Sequence, residues 1–73
     1  MNKVFIVVKK DGTVLGAFKK MDNAINSIPE KYRDNPKQIS KNCYHYDNGG
    51  ADYYSIYSLM IKDHNDLTPP MPL

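Results

Sequence analysis

The first eighteen residues have the hydrophobic pattern of a β-hairpin. Val4 to Val8 is a β-branched and aromatic run, and Thr13 to Phe18 is a second apolar segment. Asp11-Gly12 lies between them and favours a tight turn, because both residue types tolerate a positive φ. A two-residue loop would pair Phe5 with Phe18 and bring Lys3 beside Lys19 and Lys20, whereas a three-residue loop would shift this register by one.

Apolar residues at helical spacing follow the hairpin. Met21, Ala24, Ile25 and Ile28 recur at i, i+3, i+4 and i+7, which predicts an amphipathic helix. Lys19 and Lys20 occupy the expected cap positions and offer no side-chain acceptor, so we expect a weak first turn. Pro29 ends or bends this helix. The spacing of Ser27 and Glu30 resembles a capping box, which leaves open whether residues 29–41 contain another helical turn.

Strand character returns after residue 41. Asn42 to Tyr46 predicts a strand, Asp47 to Gly50 a turn, and the Tyr- and Ile-rich segment from Ala51 to Lys62 a last strand. Alternation places Tyr53 and Tyr57 on one face of that strand with Leu59 and Ile61, which we expect to be core or core edge. Tyr54 shares the other face with Ile56 and Met60.

These elements predict the α+β class, with a small antiparallel sheet in the order ββαββ and one amphipathic helix packed on it. We expect residues 1–62 to form a single domain. Residues 63–73 contain Pro69, Pro70 and Pro72 and few apolar anchors, so we expect a flexible, disordered C-terminal tail.

The first strand is apolar on both faces. Val4, Ile6 and Val8 point to one side, and Phe5 and Val7 to the other, but the sequence offers one amphipathic helix to cover them. Either residues 29–41 or the Tyr-rich strand cover the second face, or it is an exposed patch that a partner covers. Pairing of a partner strand with an open sheet edge is a related hypothesis.

Composition and charge restrict the class of protein. The chain has 73 residues, 41% hydrophobic and 25% charged, which is typical of one globular domain. The single cysteine permits no intrachain disulfide and favours a reducing compartment. No apolar run approaches the ~20 residues of a membrane span, and no signal peptide is evident, so we expect neither secretion nor a membrane partner. The net charge of +2 is uneven: residues 1–46 carry nine basic against four acidic residues, and residues 47–73 one against four.

The residues that carry reactive chemistry are few. Cys43, His45 and His64 are the soft or borderline metal ligands, and Cys43 and His45 would share a strand face with Asp47. A structural zinc site needs four ligands at a recognisable spacing, and a nucleophile and base need a third orienting group. We therefore expect no metal, no cofactor, no catalytic residues and no enzymatic activity.

Two surfaces are candidates for partner binding. The first is the basic hairpin, with Lys3, Phe5, Lys9, Lys10, Lys19 and Lys20. The second is the Tyr-rich hairpin, with Tyr44, Tyr46 and Tyr54, since tyrosine is enriched in interfaces. Lysines near tyrosines also permit an alternative of another class, a small protein that binds single-stranded nucleic acid directly, although no RNA- or DNA-binding motif is present. The sequence leaves open whether the chain is a monomer or a homodimer.

The layout resembles a loosely defined group of very small phage-encoded host-takeover proteins. The shared features are the apolar strand Val4–Val8, the Asp11-Gly12 hairpin with Phe18 closing its second strand, the short helix with Ala24 and Ile28, and the Tyr54-Ser55-Ile56 strand. The resemblance covers the first 28 residues and the last strand. It implies a cytoplasmic protein of the bacterial host cell that docks on host RNA polymerase and changes transcription initiation or termination. The alternative within this class is an inhibitor of a bacterial defence system or another host enzyme.

Overall fold

Five antiparallel strands form one sheet in the computed structural model, which describes residues 2–61. A short helix, α1, packs on one face of this sheet. The elements in chain order are β1 (Asn2–Lys9), β2 (Val14–Phe18), α1 (Met21–Asn26), a 3-10 helix (Glu30–Tyr32), β3 (Pro36–Ser40), β4 (Cys43–Asp47) and β5 (Tyr53–Ile61). The predicted α+β class is confirmed. The predicted ββαββ order is wrong, because an additional strand, β3, precedes β4.

The first hairpin forms as its sequence predicts at the end away from the turn. Phe5 pairs with Phe18, as expected for the two-residue loop. A β-bulge then shifts the register, so that Val8 pairs with Val14 and the turn is longer than predicted. Gly12 adopts φ 95°, and Asp11 Oδ1 accepts a hydrogen bond of 2.9 Å from the Thr13 amide. The β2 pairing ends at Phe18, so Lys19 and Lys20 lead into α1 and do not pair with β1.

The amphipathic helix lies against β1 and β2, and Ala24 and Ile28 are fully buried. As expected, Lys20 at the N-cap provides no side-chain hydrogen bond. The predicted capping box is not formed, because the Ser27 hydroxyl donates instead to the Ala24 carbonyl at 2.6 Å. The Arg33 guanidinium closes the end of the helix: its Nε donates to the Ile28 carbonyl at 2.7 Å and its Nη2 to the Asn26 carbonyl at 3.0 Å.

The sequence does not decide whether residues 29–41 are helical. In the structure they contain two elements, the 3-10 helix and β3. The 3-10 helix places Tyr32 against Tyr54, with ring centroids 5.0 Å apart in an edge-on arrangement. The segment from Pro36 to Ser40 is an exposed edge strand that pairs with β4. Its polar sequence gives no alternation for prediction to detect, because both of its faces are solvated.

The strand order across the sheet is β2-β1-β5-β4-β3. The last strand therefore lies at the centre, between the two hairpins. Its pairings align Val7 with Ile56 and Ile56 with Tyr44. The core lies on the helix side of the sheet, and its buried members are Val7, Ala24, Ile28, Tyr32, Tyr46, Tyr54 and Ile56.

The opposite face of the sheet is not covered by any described segment. We call it the open face; on β1, β2 and β5 it carries Val4, Ile6, Val8, Val14, Ala17, Tyr57, Leu59 and Ile61. Tyr57, Leu59 and Ile61 are 43%, 47% and 39% exposed, so the expectation that they form core is wrong. The helix packs on the side of Tyr54 and Ile56 instead, and residues 29–41 do not cross to the open face.

The predicted domain end at residue 62 and the predicted tail, residues 63–73, lie outside the described residues 2–61. Within the described part of the chain, no helix has the length and apolar character needed to cross a membrane.

Candidate binding groove

A groove opens on the helix side of the sheet, beside α1, with a volume of about 300 Å³. Phe5 of β1 and Tyr44 of β4 form its apolar floor on either side of β5, over Ile56, which is itself buried. The remaining lining residues are Lys3, Met21, Lys41, Asn42 and Ser58. We call this the lysine-rimmed groove.

The groove exists because the helix is too short to cover the sheet. Six residues at 1.5 Å per residue extend about 9 Å, which spans roughly two strands. The helix lies over β1 and β2, and the 3-10 helix places Tyr32 over Tyr54. The space between these two covers, beside Phe5 and Tyr44, is left open to solvent at one end of β4.

The charge at the groove is positive. The Lys3 ammonium lies 5.9 Å from the centroid of the Phe5 ring, close enough for a cation–π contact. Lys41 approaches from the turn between β3 and β4, and no acidic residue lines the groove within residues 2–61. An apolar floor beneath two ammonium groups suits a group that is itself apolar and carries a negative charge nearby.

The structure brings the two predicted surfaces together in part. Lys3 and Phe5 come from the basic hairpin and Tyr44 from the Tyr-rich hairpin, and all three line the same groove. They meet because β5 joins the two hairpins into one sheet. The sequence predicts them as alternatives, since nothing in their spacing reveals that Phe5 and Tyr44 lie on either side of β5, opposite Ser58 and Ile56.

The other lysines of the predicted basic surface lie elsewhere. Lys9 and Lys10 are at the turn end of β1, about 20 Å from Lys3 at the rise of an extended strand. Lys10 donates to the Ala51 carbonyl at 2.9 Å, which ties the hairpin turn to the loop before β5. Lys19 and Lys20 are exposed between β2 and α1, and neither lines the groove.

Two of the three predicted tyrosines are not available to a partner. Tyr46 and Tyr54 are 3% and 8% exposed and belong to the core, because α1 and the 3-10 helix cover their side of the sheet. Burial raises the pKa of Tyr46, and the neighbouring Tyr44 adds to this effect. The alternative site is therefore reduced to Tyr44.

Sequence reasoning missed several residues of the groove. Lys41 and Asn42 lie in the turn between β3 and β4, a turn that was not recognised because β3 itself was missed. Ser58 gives no signal of its own, although its position two residues after Ile56 places it on the same strand face.

The cysteine and histidine lie on the open face, away from the lysine-rimmed groove. Cys43 and His45 line a shallow cavity of about 320 Å³ together with Ile39, Tyr53 and Tyr57. The His45 and Tyr53 rings stack with centroids 4.0 Å apart. In the described part of the chain, no three metal-ligating side chains come together.

The fold and the groove define a small α+β domain with a cationic concave surface on the helix side of the sheet. Comparison of the chain with protein-family models, curated proteins and solved structures found no match.

Proposed function

We propose that the chain is a non-catalytic protein-binding module whose lysine-rimmed groove receives an acidic segment of a partner protein. The observation that supports this proposal most directly is the combination of an apolar floor (Phe5 and Tyr44, over the buried Ile56) with a rim of two lysines and no acidic lining residue. A partner segment with an apolar or aromatic side chain next to a carboxylate satisfies both parts of the groove.

A protein partner fits the described surface better than a nucleic acid. Single-stranded nucleic acid needs a continuous basic track and aromatic faces free for stacking. Phe5 and Tyr44 are half-buried and packed against the core, so only part of each ring is available. The basic residues are also separated, since Lys10 is at the far end of β1 and Lys31 lies over Tyr32.

We further propose bacterial RNA polymerase as the target, on the resemblance to phage host-takeover proteins, with the chain acting in the cytoplasm of the host cell on transcription initiation or termination. The resemblance alone supports this choice of target. The groove supports only the chemistry of the contact.

The test is direct binding of the chain to purified RNA polymerase, with a charge-reversal variant and a matched control. Lys3→Glu/Lys41→Glu reverses both rim charges, and Lys19→Glu/Lys20→Glu makes the same change of net charge at two exposed lysines that do not line the groove. Exposed ion pairs contribute about 0.2–1 kcal/mol each, and reversal replaces each attraction with repulsion, so we expect affinity to fall roughly 10- to 100-fold in the groove variant. The control should bind nearly as tightly as the wild type.

Each result has a separate meaning. Equal weakening by both variants would show that only overall charge matters and would refute the groove. A different host enzyme or a defence protein would replace RNA polymerase as the target under two conditions. The chain does not bind RNA polymerase, and it captures another protein from nuclease-treated bacterial lysate that the groove variant fails to retain. Binding to plain oligonucleotides with steep salt dependence would move the chain to the nucleic-acid-binding class.

A further inference from the structure

The open face presents an apolar surface on the side of the sheet opposite the lysine-rimmed groove. Tyr57, Leu59 and Ile61 of the central strand are each more than a third exposed, and Val4, Ile6 and Val8 of β1 lie beside them. Large side chains on an uncovered sheet face lose contact with water when a second layer packs on them. No described segment of this chain provides that layer.

The charge distribution restricts what the second layer is. On the three strands β2, β1 and β5, the residues that point to the open face are all uncharged. The charges on this face lie at its borders: Lys9 and Lys10 line the cavity beside Val8 and Tyr57 at the turn end of the first hairpin, and Lys37 and Asp47 of β3 and β4 are 3.9 Å apart. Around Leu59 and Ile61, at the other end of β5, a neutral apolar sheet fits without leaving an unpaired buried charge.

We propose that the open face is the interface of a homodimer in which two copies pack sheet against sheet. Stacked sheets about 10 Å apart are a common arrangement for apolar sheet faces, and a second copy supplies an identical face. A twofold axis near the centre of β5 brings each Leu59 and Tyr57 against the same strand of the partner. The two lysine-rimmed grooves then point outward on opposite sides of the dimer.

The size of the face sets the expected strength of the dimer. Strands β1, β2 and β5, of 8, 5 and 9 residues, give a plan area of roughly 350 Å² at about 3.3 Å rise per residue and about 4.8 Å spacing. Side chains protrude from that plane, so the accessible area that each copy buries is larger and approaches the ~600 Å² per partner of the smallest specific interfaces. We therefore expect a reversible dimer with a dissociation constant in the micromolar range.

The test is sedimentation of the full chain over a concentration series, with two variants that differ by one position on β5. Leu59→Glu places a charge on the open face. Met60→Glu is the matched control, since Met60 is 58% exposed, pairs with Lys3 and points to the opposite face. The wild type and Met60→Glu should dimerise between about 10 μM and 1 mM, and Leu59→Glu should dimerise at least ~10-fold more weakly.

Far-UV circular dichroism establishes that each variant is folded, and Ile61→Glu, at the end of β5, replaces Leu59→Glu if that variant unfolds.

NMR spectra of the wild type over a dilution series test the dimer without any substitution. The chemical shifts of the β1 and β5 amides should change with concentration, and those of the 3-10 helix should not. A wild type that stays monomeric to ~1 mM would overturn the proposal and leave the chain's own residues 62–73 or another protein as the occupant. A dimer that Leu59→Glu leaves intact would also overturn it and direct attention to pairing at the β2 edge. Neither result depends on what the lysine-rimmed groove binds.

Discussion

The substitution Ile28→Ala tests the central packing of this fold. Ile28 follows α1, is fully buried, and belongs to the core cluster with Val7, Ala24 and Ile56. Alanine removes three carbons from this site, which is about 2.4 kcal/mol of transfer free energy at ~0.8 kcal/mol per methylene. The cavity left behind adds to this loss, so we expect the free energy of unfolding to fall by about 3–4 kcal/mol, within the range measured for such changes.

That loss is large relative to the stability of so small a domain. Sixty ordered residues correspond to a free energy of unfolding of roughly 3–9 kcal/mol. Ile28→Ala should therefore lower Tm by more than ~10 °C, and in the lower part of that range it would unfold the chain at room temperature. The measurement is urea and thermal denaturation followed by far-UV circular dichroism, at a protein concentration well below that of dimer formation.

Ile39→Ala is the matched control, because it makes the same chemical change at a residue that is 60% exposed on the edge strand β3. We expect it to change stability by no more than about 0.5 kcal/mol. If Ile28→Ala and Ile39→Ala lose equal stability, or if Ile28→Ala loses less than ~1 kcal/mol, α1 does not pack on the sheet as described.

Two further predictions concern the helix end and a buried tyrosine. Arg33→Lys should lower the free energy of unfolding by about 1–2 kcal/mol, because a lysine ammonium cannot reach both the Ile28 and the Asn26 carbonyls that the guanidinium joins. Lys31→Arg is the control. Equal stability of the wild type and the Arg33 variant in urea denaturation would contradict the prediction. Burial raises the pKa of Tyr46, so its contribution to stability is complete below pH ~10, the unfolded-state value, and is lost as the pH rises from there through the higher folded-state pKa. Tyr46→Phe, which cannot ionise, should lose less stability than the wild type as the pH rises above ~10; an identical loss in both proteins would show that Tyr46 does not contribute to alkaline unfolding.

Among the candidate site residues, Lys3 and Phe5 were accessible to prediction because they belong to a hairpin whose turn and register are local. Tyr44 was also proposed, but as part of a separate surface. Lys41 was missed, because the strand before it is polar on both faces and carries no period that distinguishes it from a loop. The open face was partly predicted, because Val4 to Val8 are apolar on both sides of the strand. That pattern requires either a second segment that covers the other side or an exposed patch.

The sequence by itself determined the local elements of this protein. Asp11-Gly12 between two apolar runs specified the first hairpin, although not its register, and the 3.6-residue spacing of Met21, Ala24 and Ile28 specified the helix and its buried side. These features depend on interactions between residues close in the chain, so their signals are contained in short windows of sequence.

Only the tertiary structure decided which surfaces the protein presents. Strand β5 is apolar on both faces, so alternation divides its residues into two sets but does not say which set is buried. That choice came from the insertion of β5 between β1 and β4, and from α1 packing on the side of Ile56, which buried Tyr54 and left Tyr57 exposed. Pairing between strands distant in sequence is made through backbone hydrogen bonds that are the same for every residue type, and for this reason neither the groove nor the open face can be read from the order of residues alone.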